Sequence, residues 1–495
     1  MKLNELSQQL LLYRMIGDSA AEIGSLAVDS RKVEPGCLFF CVPGHAADGH
    51  DYAEQAISKG AAALVTEREL PITATQIIVP DVRQALALIA DYYYGRPSHK
   101  LRPIGVTGTN GKTTTTYLIE RIWADAGVAA GVIGTIETRY AGESLPMSGT
   151  TPGVLELQQI LHDMVEAGTE RCVMEVSSHA LDQGRVKGCS FRTAIFTNLT
   201  QDHLDYHGTM EAYESAKGLF FSRLGNTYSD DPRERTYAVL NGDDEASARF
   251  AKMTAAEVLT YGIEKKADLQ ASEVRIAAGG TSFKLESFRG SRQVKLKLVG
   301  KFNVYNALAA LGAALCEGIG LDEAITSLER IGGVPGRVEP VDAGQDFAVI
   351  VDYAHTPDGL ENVLNTVKEL ATGNVICVFG CGGDRDRTKR PIMGRIASDL
   401  ADKIIVTSDN PRTEDPELII RDIEAGLKEA GATRDRYELE PDRRAAIEKA
   451  VEMASPGDVV LIAGKGHEAY QIIGNVTHDF DDRLVAKEAI RSRNQ

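Results

Sequence analysis

The stretch PIGVTGTNGKTTTTYLIERIWADAG occupies residues 103–127 and predicts a strand, a glycine-rich turn and a helix in direct succession. Glycines in such a turn let backbone amides point inward around phosphate, and the helix N-terminus adds the positive end of its dipole. We therefore interpret residues 105–113 as a phosphate-binding loop, in which Lys112 reaches the outer phosphates and the Thr113 hydroxyl holds magnesium. The strict pattern GxxxxGK(S/T) is not met, because Val106 stands at its first glycine position. The alternative is a plain strand–turn–helix joint with incidental glycines.

Strand-like runs alternate with helical patterns along most of the chain, which predicts an α/β fold with parallel sheets. Two segments rich in glycine, proline and charge interrupt the pattern: YYYGRPSHKLRP at 92–103 and IGGVPGRVEP at 331–340. Residues 331–336 of the second segment are a candidate hinge. The sequence thus predicts three domains: a small N-terminal α/β domain (1–97), a central domain with a P-loop NTPase-like parallel sheet (98–333), and a C-terminal domain with a doubly wound, Rossmann-like sheet (334–495).

Composition excludes several classes of protein. The chain of 495 residues has a net charge of −17 and no long basic run, which argues against general nucleic-acid binding. No stretch approaches the ~20 apolar residues that a membrane-spanning helix needs. The apolar run within residues 1–15 is too short for a secretory signal. The seven cysteines have scattered spacing without a zinc pattern and are typical of buried residues in a reducing compartment. We expect a cytoplasmic protein.

Polar residues at strand ends suggest a metal site. Glu175 ends the apolar run RCVME, and His203 and Lys217 follow a later strand. Hard oxygen ligands suit a magnesium ion bound to ATP. Taken alone, however, each histidine is more typical of a structural hydrogen-bonding residue, and Lys217 of a solvated helix lysine.

Ten stretches, taken in order, resemble the Mur ligase family over essentially the whole chain. They are DSR at 29–31, DGHDY at 48–52, TGTNGKT at 107–113, EVSSHALDQGRV at 175–186, TNLTQDHLDYHG at 197–208, GKFNVYN at 300–306, DYAHTPD at 352–358, FGCGGDRDRTKRP at 379–391, DNPR at 409–412 and AGKGHE at 463–468. The family's phosphate loop has the short form TGTNGKT, so the failed strict pattern is expected in it.

The resemblance implies an ATP-dependent ligase. In such an enzyme the γ-carboxylate of D-glutamate in UDP-N-acetylmuramoyl-L-alanyl-D-glutamate is activated as an acyl phosphate. The amine of meso-2,6-diaminopimelate then attacks it, in the synthesis of the peptidoglycan precursor. The implied cofactor is Mg²⁺ and the partners are small-molecule substrates; we expect a monomer.

The resemblance also implies roles by position. The catalytic residues would be Lys112, His203 and Lys217. ATP would be bound by Gly108, Thr109, Asn110, Gly111, Lys112, Thr113, Thr114 and Asn303. The UDP-muramoyl-dipeptide would be bound by Val28, Ser30, His45, Ala46, Ala47, Thr150, Thr151, Ser177, Gln183 and Arg185. Metal ions would be bound by Thr113, Glu175, His203 and Lys217, the last as a carbamate. Diaminopimelate would be bound by Arg385, Asp409, Asn410, Pro411, Arg412, Gly464 and Glu468.

The distal end of diaminopimelate carries both a carboxylate and an ammonium. Arg385 and Arg412 could pair with that carboxylate and Glu468 with that ammonium, so lysine would leave charges unpaired. Three alternatives stay open: a lysine-adding ligase of the same family, a folylpolyglutamate synthetase-like ligase, and a non-catalytic nucleotide-binding or scaffold protein. The DNPR stretch argues against the first, the DSR and DGHDY stretches against the second, and the presence of Glu175, His203 and Lys217 together against the third.

Overall fold

The structure is a computed structural model that describes residues 1–44, 47–147, 149–226, 230–231, 234–277 and 279–493. Its mixed α/β architecture confirms the predicted fold class.

The N-terminal elements are short. They are α1 (Leu3–Ser7), β1 (Arg14–Ile16), β2 (Ser25–Ala27), β3 (Cys37–Phe40), α2 (Ala53–Ser58), β4 (Ala63–Thr66), β5 (Thr75–Ile78), α3 (Val82–Tyr93) and α4 (Pro97–Leu101), with 3₁₀ turns at Ser30–Lys32 and Gly49–Tyr52.

The central elements include the longest helix of the described chain. They are β6 (Ile104–Thr107), α5 (Lys112–Asp125), β7 (Ala130–Ile133), β8 (Glu137–Tyr140), β9 (Glu143–Pro146), α6 (Val154–Glu166), β10 (Arg171–Glu175), α7 (Ser178–Asp182), β11 (Thr193–Phe196), α8 (Leu204–His207), α9 (Met210–Ser222), β12 (Tyr237–Asn241), α10 (Ala246–Met253), β13 (Glu257–Gly262), β14 (Leu269–Ala277), β15 (Gly280–Ser287), β16 (Gly290–Leu296), α11 (Lys301–Cys316) and α12 (Leu321–Arg330).

The C-terminal elements alternate regularly. They are β17 (Glu339–Pro340), β18 (Ala348–Asp352), α13 (Pro357–Leu370), β19 (Val375–Phe379), α14 (Lys389–Leu400), β20 (Lys403–Val406), α15 (Pro416–Glu429), β21 (Tyr437–Leu439), α16 (Arg443–Met453), β22 (Val459–Ala463), β23 (Tyr470–Ile473), β24 (Val476–Asp479) and α17 (Asp482–Arg493).

The chain divides into two compact units. The first comprises mainly residues 1–105 and 127–194, and the second comprises residues 106–126, 195–226 and 237–495. The boundaries predicted near residues 97 and 333 stay predictions.

The first unit contains a five-stranded sheet in the order β1-β5-β4-β3-β2, parallel except for β1. All four residues of β3 are buried, as expected of a strand covered on both faces. Strands β10, β7, β8 and β9 also belong to this unit; β10 and β7 are parallel, and β8 and β9 continue as an antiparallel extension.

In the second unit, β6 and β11 to β16 form consecutive sheet neighbours, and helix α11 packs on β12 to β14. The C-terminal sheet has the order β17-β18-β22-β19-β20-β21 and is parallel from β18 to β21. Residues Cys377 and Phe379 of β19 pack with helices α13 to α15, and Ile376 and Val378 pack with α16 and α17. This alternation buries both faces of the sheet and confirms the doubly wound expectation.

All seven cysteines lie among the described residues and none forms a disulfide; all but Cys189 are buried. Burial raises the pKa of the Cys41 and Cys377 thiols to about 12, so they behave as small apolar residues, as predicted. Among the described residues, no helix combines the length and the apolar character needed to cross a bilayer.

Candidate active site

The phosphate loop joins β6 to α5 in the predicted strand–turn–helix arrangement. Gly108 and Gly111 have φ values of +148° and +86°, a region that side chains rarely allow. A Cβ on Gly108 would lie 1.8 Å from Oγ1 of Thr197, and one on Gly111 would lie 2.4 Å from Oδ1 of Asn306. Both glycines are therefore required by the backbone and by its close neighbours, and are not incidental.

Cationic groups surround this loop. The Lys112 ammonium donates hydrogen bonds to the carbonyl oxygens of Gly108 and Thr109 at 2.9 and 2.8 Å. The Thr113 hydroxyl accepts a hydrogen bond from the Arg337 guanidinium at 3.0 Å. Two side-chain cations, backbone amides and a hydroxyl thus meet at one helix N-terminus, which suits a polyphosphate.

A cavity of about 360 Å³ opens beside the loop within the second unit, a size typical of small-molecule sites. It combines apolar rings with amides and carboxylates. Its lining comprises Asn110, Gly111, Thr113, Thr114, Thr197, Asn198, Asn241, Asp243, Asp244, Lys301, Phe302, Tyr305, Asn306, Arg337, Asp352, Tyr353, Ala354, Asp358, Gly359, Asn362 and Val363. Aromatic surface for a base and polar groups for a sugar therefore lie next to the phosphate loop.

The C-terminal sequence contributes to one wall of this cavity. Asn110 donates to Asp358 at 2.6 Å and accepts from the Thr356 hydroxyl at 3.3 Å. The Arg337 guanidinium lies 4.5 Å from the ring centre of Tyr353, in cation–π geometry. The segment that follows the candidate hinge thus reaches the phosphate loop directly.

Lys217 is on α9 and is only 1% exposed, so it is not the solvated helix lysine of the simplest interpretation. Its ammonium nitrogen lies 4.4 Å from the ring centre of Tyr213. Burial and the nearby charge of Lys112 lower the pKa of Lys217 well below its usual value, and Asp202 only partly offsets them. These surroundings favour the neutral, nucleophilic form of the amine.

The buried carboxylate of Asp202 is the centre of a polar cluster near Lys217. Its carboxylate lies 3.2 Å from the Lys389 ammonium, 3.3 Å from Nε2 of His203 and 4.0 Å from Nε2 of His355. Burial raises the pKa of Asp202, but the charge of Lys389 and the contacts with His203 and His355 lower it by more, so the pKa is lowered overall and the carboxylate is ionised. The His203 ring also meets the ring of Tyr213 edge-on, so the structure places His203 and Lys217 on one aromatic side chain.

A second polar site follows strands β20 and β22. Asn410 donates to Glu468 at 2.9 Å, and the Lys465 ammonium lies 3.2 Å from both Asn410 and Glu468. Lys465 is completely buried. Burial and the neighbouring Asp409 raise the pKa of Glu468. Three of the residues predicted to bind diaminopimelate thus share one compact site.

The predicted arginines lie beside this site. The Arg412 guanidinium donates to the carbonyl of Gly383 at 2.9 Å. A Cβ on Gly382 would lie 2.9 Å from NH1 of Arg412 and 3.6 Å from Cγ of Arg385, so the two arginines flank this glycine. Arg385 is exposed. The pair thus lies beside the cluster of Asp409, Asn410, Lys465 and Glu468, which together form the candidate amino-acid site.

In the first unit, Thr151 connects most of the residues predicted to bind the muramoyl-dipeptide. Its hydroxyl bonds the Glu175 carbonyl at 2.9 Å and the Ser177 hydroxyl at 3.3 Å. Arg185 donates to the Thr151 carbonyl at 3.1 Å and to Gln183 at 2.7 Å. These contacts bring five predicted positions, including Thr150 through Thr135, into one polar cluster.

The comparisons with known proteins agree with this geometry. Family models match at residues 22–94 (Mur ligase family, catalytic domain), 106–314 (Mur ligase middle domain) and 336–466 (Mur ligase, glutamate ligase domain). A UDP-N-acetylmuramoyl-L-alanyl-D-glutamate–2,6-diaminopimelate ligase of Geobacillus thermodenitrificans is 52% identical over 493 residues, which is 100% of each chain. The chain belongs to the Mur ligase family.

Two further relatives support the assignment to the Mur ligases. A protein of the same name from Halalkalibacterium halodurans is 53% identical and covers 99% of each chain. A solved structure of a UDP-N-acetylmuramoyl-L-alanyl-D-glutamate–2,6-diaminopimelate ligase has a TM-score of 0.70 at 36% identity, covering 100% of this chain and 99% of that one. The family resemblance stated from the sequence is confirmed.

The N-terminal residues predicted to bind the nucleotide part of the Mur ligase substrate are placed less completely. Ser30 is buried and donates to Gln55 at 2.7 Å, and Val28 is exposed. Ala47 is described, but His45 and Ala46 lie outside the described residues. Their predicted contacts stay predictions.

Asn303 of this Mur ligase has an internal role in the structure. Its amide donates to the Val299 carbonyl at 2.9 Å and accepts from Asn306 at 3.1 Å. Asn306, one turn along α11, lines the cavity itself. Asn303 therefore orients Asn306, and its own contact with ATP stays a prediction.

Sequence reasoning missed several residues of the Mur ligase site: Thr135, Asn306, Arg337, Asp358, Lys389 and Lys465. All except Thr135 and Arg337 lie in stretches that carried the family resemblance. Thr135 holds Glu175 through its amide at 2.8 Å and its hydroxyl at 3.0 Å. No local pattern marks it, because a lone threonine after a strand is common.

Proposed function

We propose that this protein is an ATP-dependent ligase that joins meso-2,6-diaminopimelate to the D-glutamate γ-carboxylate of UDP-N-acetylmuramoyl-L-alanyl-D-glutamate. Full-length identity of about half to relatives named for this activity carries the proposal. The phosphate loop and its adjoining cavity supply the nucleotide site that an ATP-dependent ligase needs.

ATP occupies the cavity with its phosphates on the loop. Lys112 and Arg337 lie where the outer phosphates arrive, and they stabilise the charge that spreads over the transferred phosphoryl group. The substrate γ-carboxylate attacks the terminal phosphorus, the bond to the bridging oxygen breaks, and ADP leaves. The amine of the amino acid then attacks the acyl carbon, and phosphate is released with the amide.

The residues around the loop fit Mg²⁺. Magnesium in such sites takes few protein ligands and is held mainly by nucleotide oxygens and waters, and the Thr113 hydroxyl in the first turn of α5 would be one of those ligands. Among the described residues, no cluster of three histidine, cysteine or carboxylate side chains forms a separate metal cage. The ion would neutralise charge on the phosphates. From the family resemblance we assign Thr113, Glu175, His203 and a carbamylated Lys217 to the binding of magnesium ions, with the carbamate helping to hold a second ion.

Lys217 is suited to carbamylation. A neutral amine adds to carbon dioxide, releases one proton and becomes a carbamate anion. Burial lowers the pKa of Lys217 and so favours the neutral amine, and the ammonium of Lys112 would attract the resulting anion. The modification changes this side chain from a possible cation to a metal-binding oxygen donor.

The carboxylates of Asp409 and Glu468, with the guanidinium groups of Arg385 and Arg412 beside them, favour an amino acid with two charged ends. Arg385 and Arg412 suit the distal carboxylate and Glu468 the distal ammonium. L-Lysine would leave both guanidinium groups without that carboxylate, which lowers its affinity. The substrates are small molecules, and we propose a monomeric, cytoplasmic enzyme.

The decisive experiment measures phosphate release by the purified protein with ATP, Mg²⁺ and UDP-N-acetylmuramoyl-L-alanyl-D-glutamate. Meso-diaminopimelate and L-lysine are added in parallel reactions. We expect turnover with diaminopimelate and little with lysine. Turnover with lysine alone would overturn the role given to Arg385 and Arg412. No phosphate release with either amino acid would overturn the proposed acceptor.

A further inference from the structure

A buried ion pair lies next to the segments that form the candidate amino-acid site. Arg443 begins α16, Asp482 begins α17, and neither side chain is exposed. Nε of Arg443 donates to Oδ1 of Asp482 at 2.8 Å and NH2 donates to Oδ2 at 2.7 Å. This two-point geometry fixes the guanidinium plane rather than merely balancing a charge.

The remaining hydrogen bonds of Arg443 go to two backbone carbonyls. NH1 donates to Ser408 at 3.2 Å, and NH2 donates to Ala463 at 3.0 Å. Ser408 directly precedes the DNPR segment that begins at Asp409, and Ala463 directly precedes Gly464. One guanidinium therefore ties together the two segments that carry most of the predicted amino-acid contacts.

The same region contains an unsatisfied carboxylate oxygen. Asp409 is 8% exposed, and its Oδ2 has no hydrogen-bond partner among the described residues. A Cβ on Gly464 would lie 2.6 Å from this oxygen and 3.9 Å from NH2 of Arg443. Asp409 and Arg443 thus approach the same point of the backbone, and Gly464, with φ +119°, leaves room there.

We propose that Arg443, fixed by Asp482, is a positioning residue for the amino-acid substrate: it sets the spacing of the 409–412 and 464–468 segments and supplies a second cation, besides Lys465, near Asp409 and Glu468. The inference rests on the proposed function, since the pocket is the one assigned to diaminopimelate. Burial lowers the pKa of Arg443, but the charges of Asp482, Asp409 and Glu468 raise it, so the guanidinium stays charged.

The test compares Arg443→Lys and Arg443→Met with Arg444→Met. Arg444 is the adjacent residue and forms an exposed pair with Glu488 at 2.8 Å, so it controls for loss of an arginine from α16. For Arg443→Lys, which keeps the charge but loses the fork, we expect the KM for diaminopimelate to rise about tenfold or more. The KM values for ATP and the UDP-substrate should change less than about threefold, and Arg444→Met should match wild type.

A merely structural role would change all constants together or lower only the amount of active protein. An unchanged KM for diaminopimelate in folded Arg443→Lys, or failure of both Arg443 variants to fold, would overturn the proposal. Turnover by the wild-type protein distinguishes failure of the positioning role of Arg443 from failure of the proposed function. If wild type uses another amino acid, the proposed function fails, and the KM for that amino acid decides the role of Arg443.

Discussion

Lys217 shows how far the surroundings of a residue can change its chemistry. A lysine in a helical sequence pattern predicts a solvated cation, but in the structure Lys217 is buried against Tyr213 and near Lys112. Its pKa is lowered because a buried ammonium loses hydration and meets a second cation. This environment agrees with the role that the family resemblance implied, although the carbamate itself stays a proposal.

Replacing Lys217 by arginine should abolish turnover, because a guanidinium cannot form a carbamate and stays charged. We expect kcat to fall by about a hundredfold or more, as when a transition-state interaction is lost. The matched control is Lys252→Arg, an exposed lysine on α10. Phosphate release measured with and without added bicarbonate checks the prediction. Full activity of Lys217→Arg would contradict a catalytic carbamate.

Residues such as Arg337 mark the limit of prediction from sequence at this scale. The phosphate loop was predicted because its glycines, lysine and threonine are contiguous and follow an apolar strand. Arg337 reaches Thr113 from more than two hundred positions away, and nothing in its neighbours distinguishes it from a surface arginine. Only the tertiary fold brings such pairs together.

At the scale of elements, the turn between β6 and α5 depends on backbone shape as much as on charge. Its two glycines have positive φ, and the surrounding side chains leave no room for a methyl group. The C-terminal sheet was predicted equally well, because apolar β19 residues alternate between two helical layers. Both are local patterns, the turn as a contiguous motif and the strand as an alternation of period two, and such patterns can be recognised in one sequence.

Gly108→Ala should disrupt the loop. Its Cβ would overlap Thr197, and overpacking of this kind costs about 1–3 kcal/mol. We expect a large loss of ATP-dependent phosphate release together with a lower melting temperature. Gly320→Ala is the control, because the nearest atom to its Cβ is 3.9 Å away and its φ is −63°. Normal KM for ATP in Gly108→Ala would show that the loop tolerates another backbone shape.

The 3₁₀ turn at Gly49–Tyr52 predicts a pH effect on stability. Asp48 accepts hydrogen bonds from the backbone amide and the ring Nδ1 of His50, and these bonds lower its pKa from 3.8 to about 2. A depressed carboxyl pKa stabilises the fold above pH 3.8, and the contribution is lost as the pH falls through about 2.

Asp48→Ala should therefore destabilise the N-terminal sheet region at neutral pH by about 1 kcal/mol, the usual value of such a cap. The difference from wild type should shrink as the pH falls towards 2. Hydrogen exchange of peptides around residue 50 measures it locally, and Asp51→Ala, an exposed neighbour, is the control. A pH-independent difference would assign the effect to packing rather than to ionisation.

At the scale of the whole molecule, the proposed reaction needs ATP and an amino acid brought together by segments on both sides of the candidate hinge at 331–336. Gly332 and Gly333 have no atom within 4 Å of an added Cβ. Alanine there is accommodated without a clash, so a kinetic effect would come from the restricted backbone of the linker.

The double substitution of Gly332 and Gly333 by alanine should lower kcat by about three- to tenfold while the melting temperature stays unchanged or rises, if closure limits turnover. Stopped-flow measurement of phosphate release checks this, with Gly24→Ala as a control at another open position. Unchanged kinetics would remove the hinge from the mechanism.

Asn110 has a practical consequence for finding inhibitors. Its side chain links the phosphate loop to Thr356 and Asp358 at the start of α13. Helix α13 packs on the C-terminal sheet, whose strands β20 and β22 lead into the candidate amino-acid site. If that link couples the two sites, thermodynamic reciprocity requires each ligand to change the other's affinity by the same factor. Screening for pocket binders with ATP absent would then rank compounds by the wrong affinities, and a nucleotide-loaded screen would recover the cooperative ones.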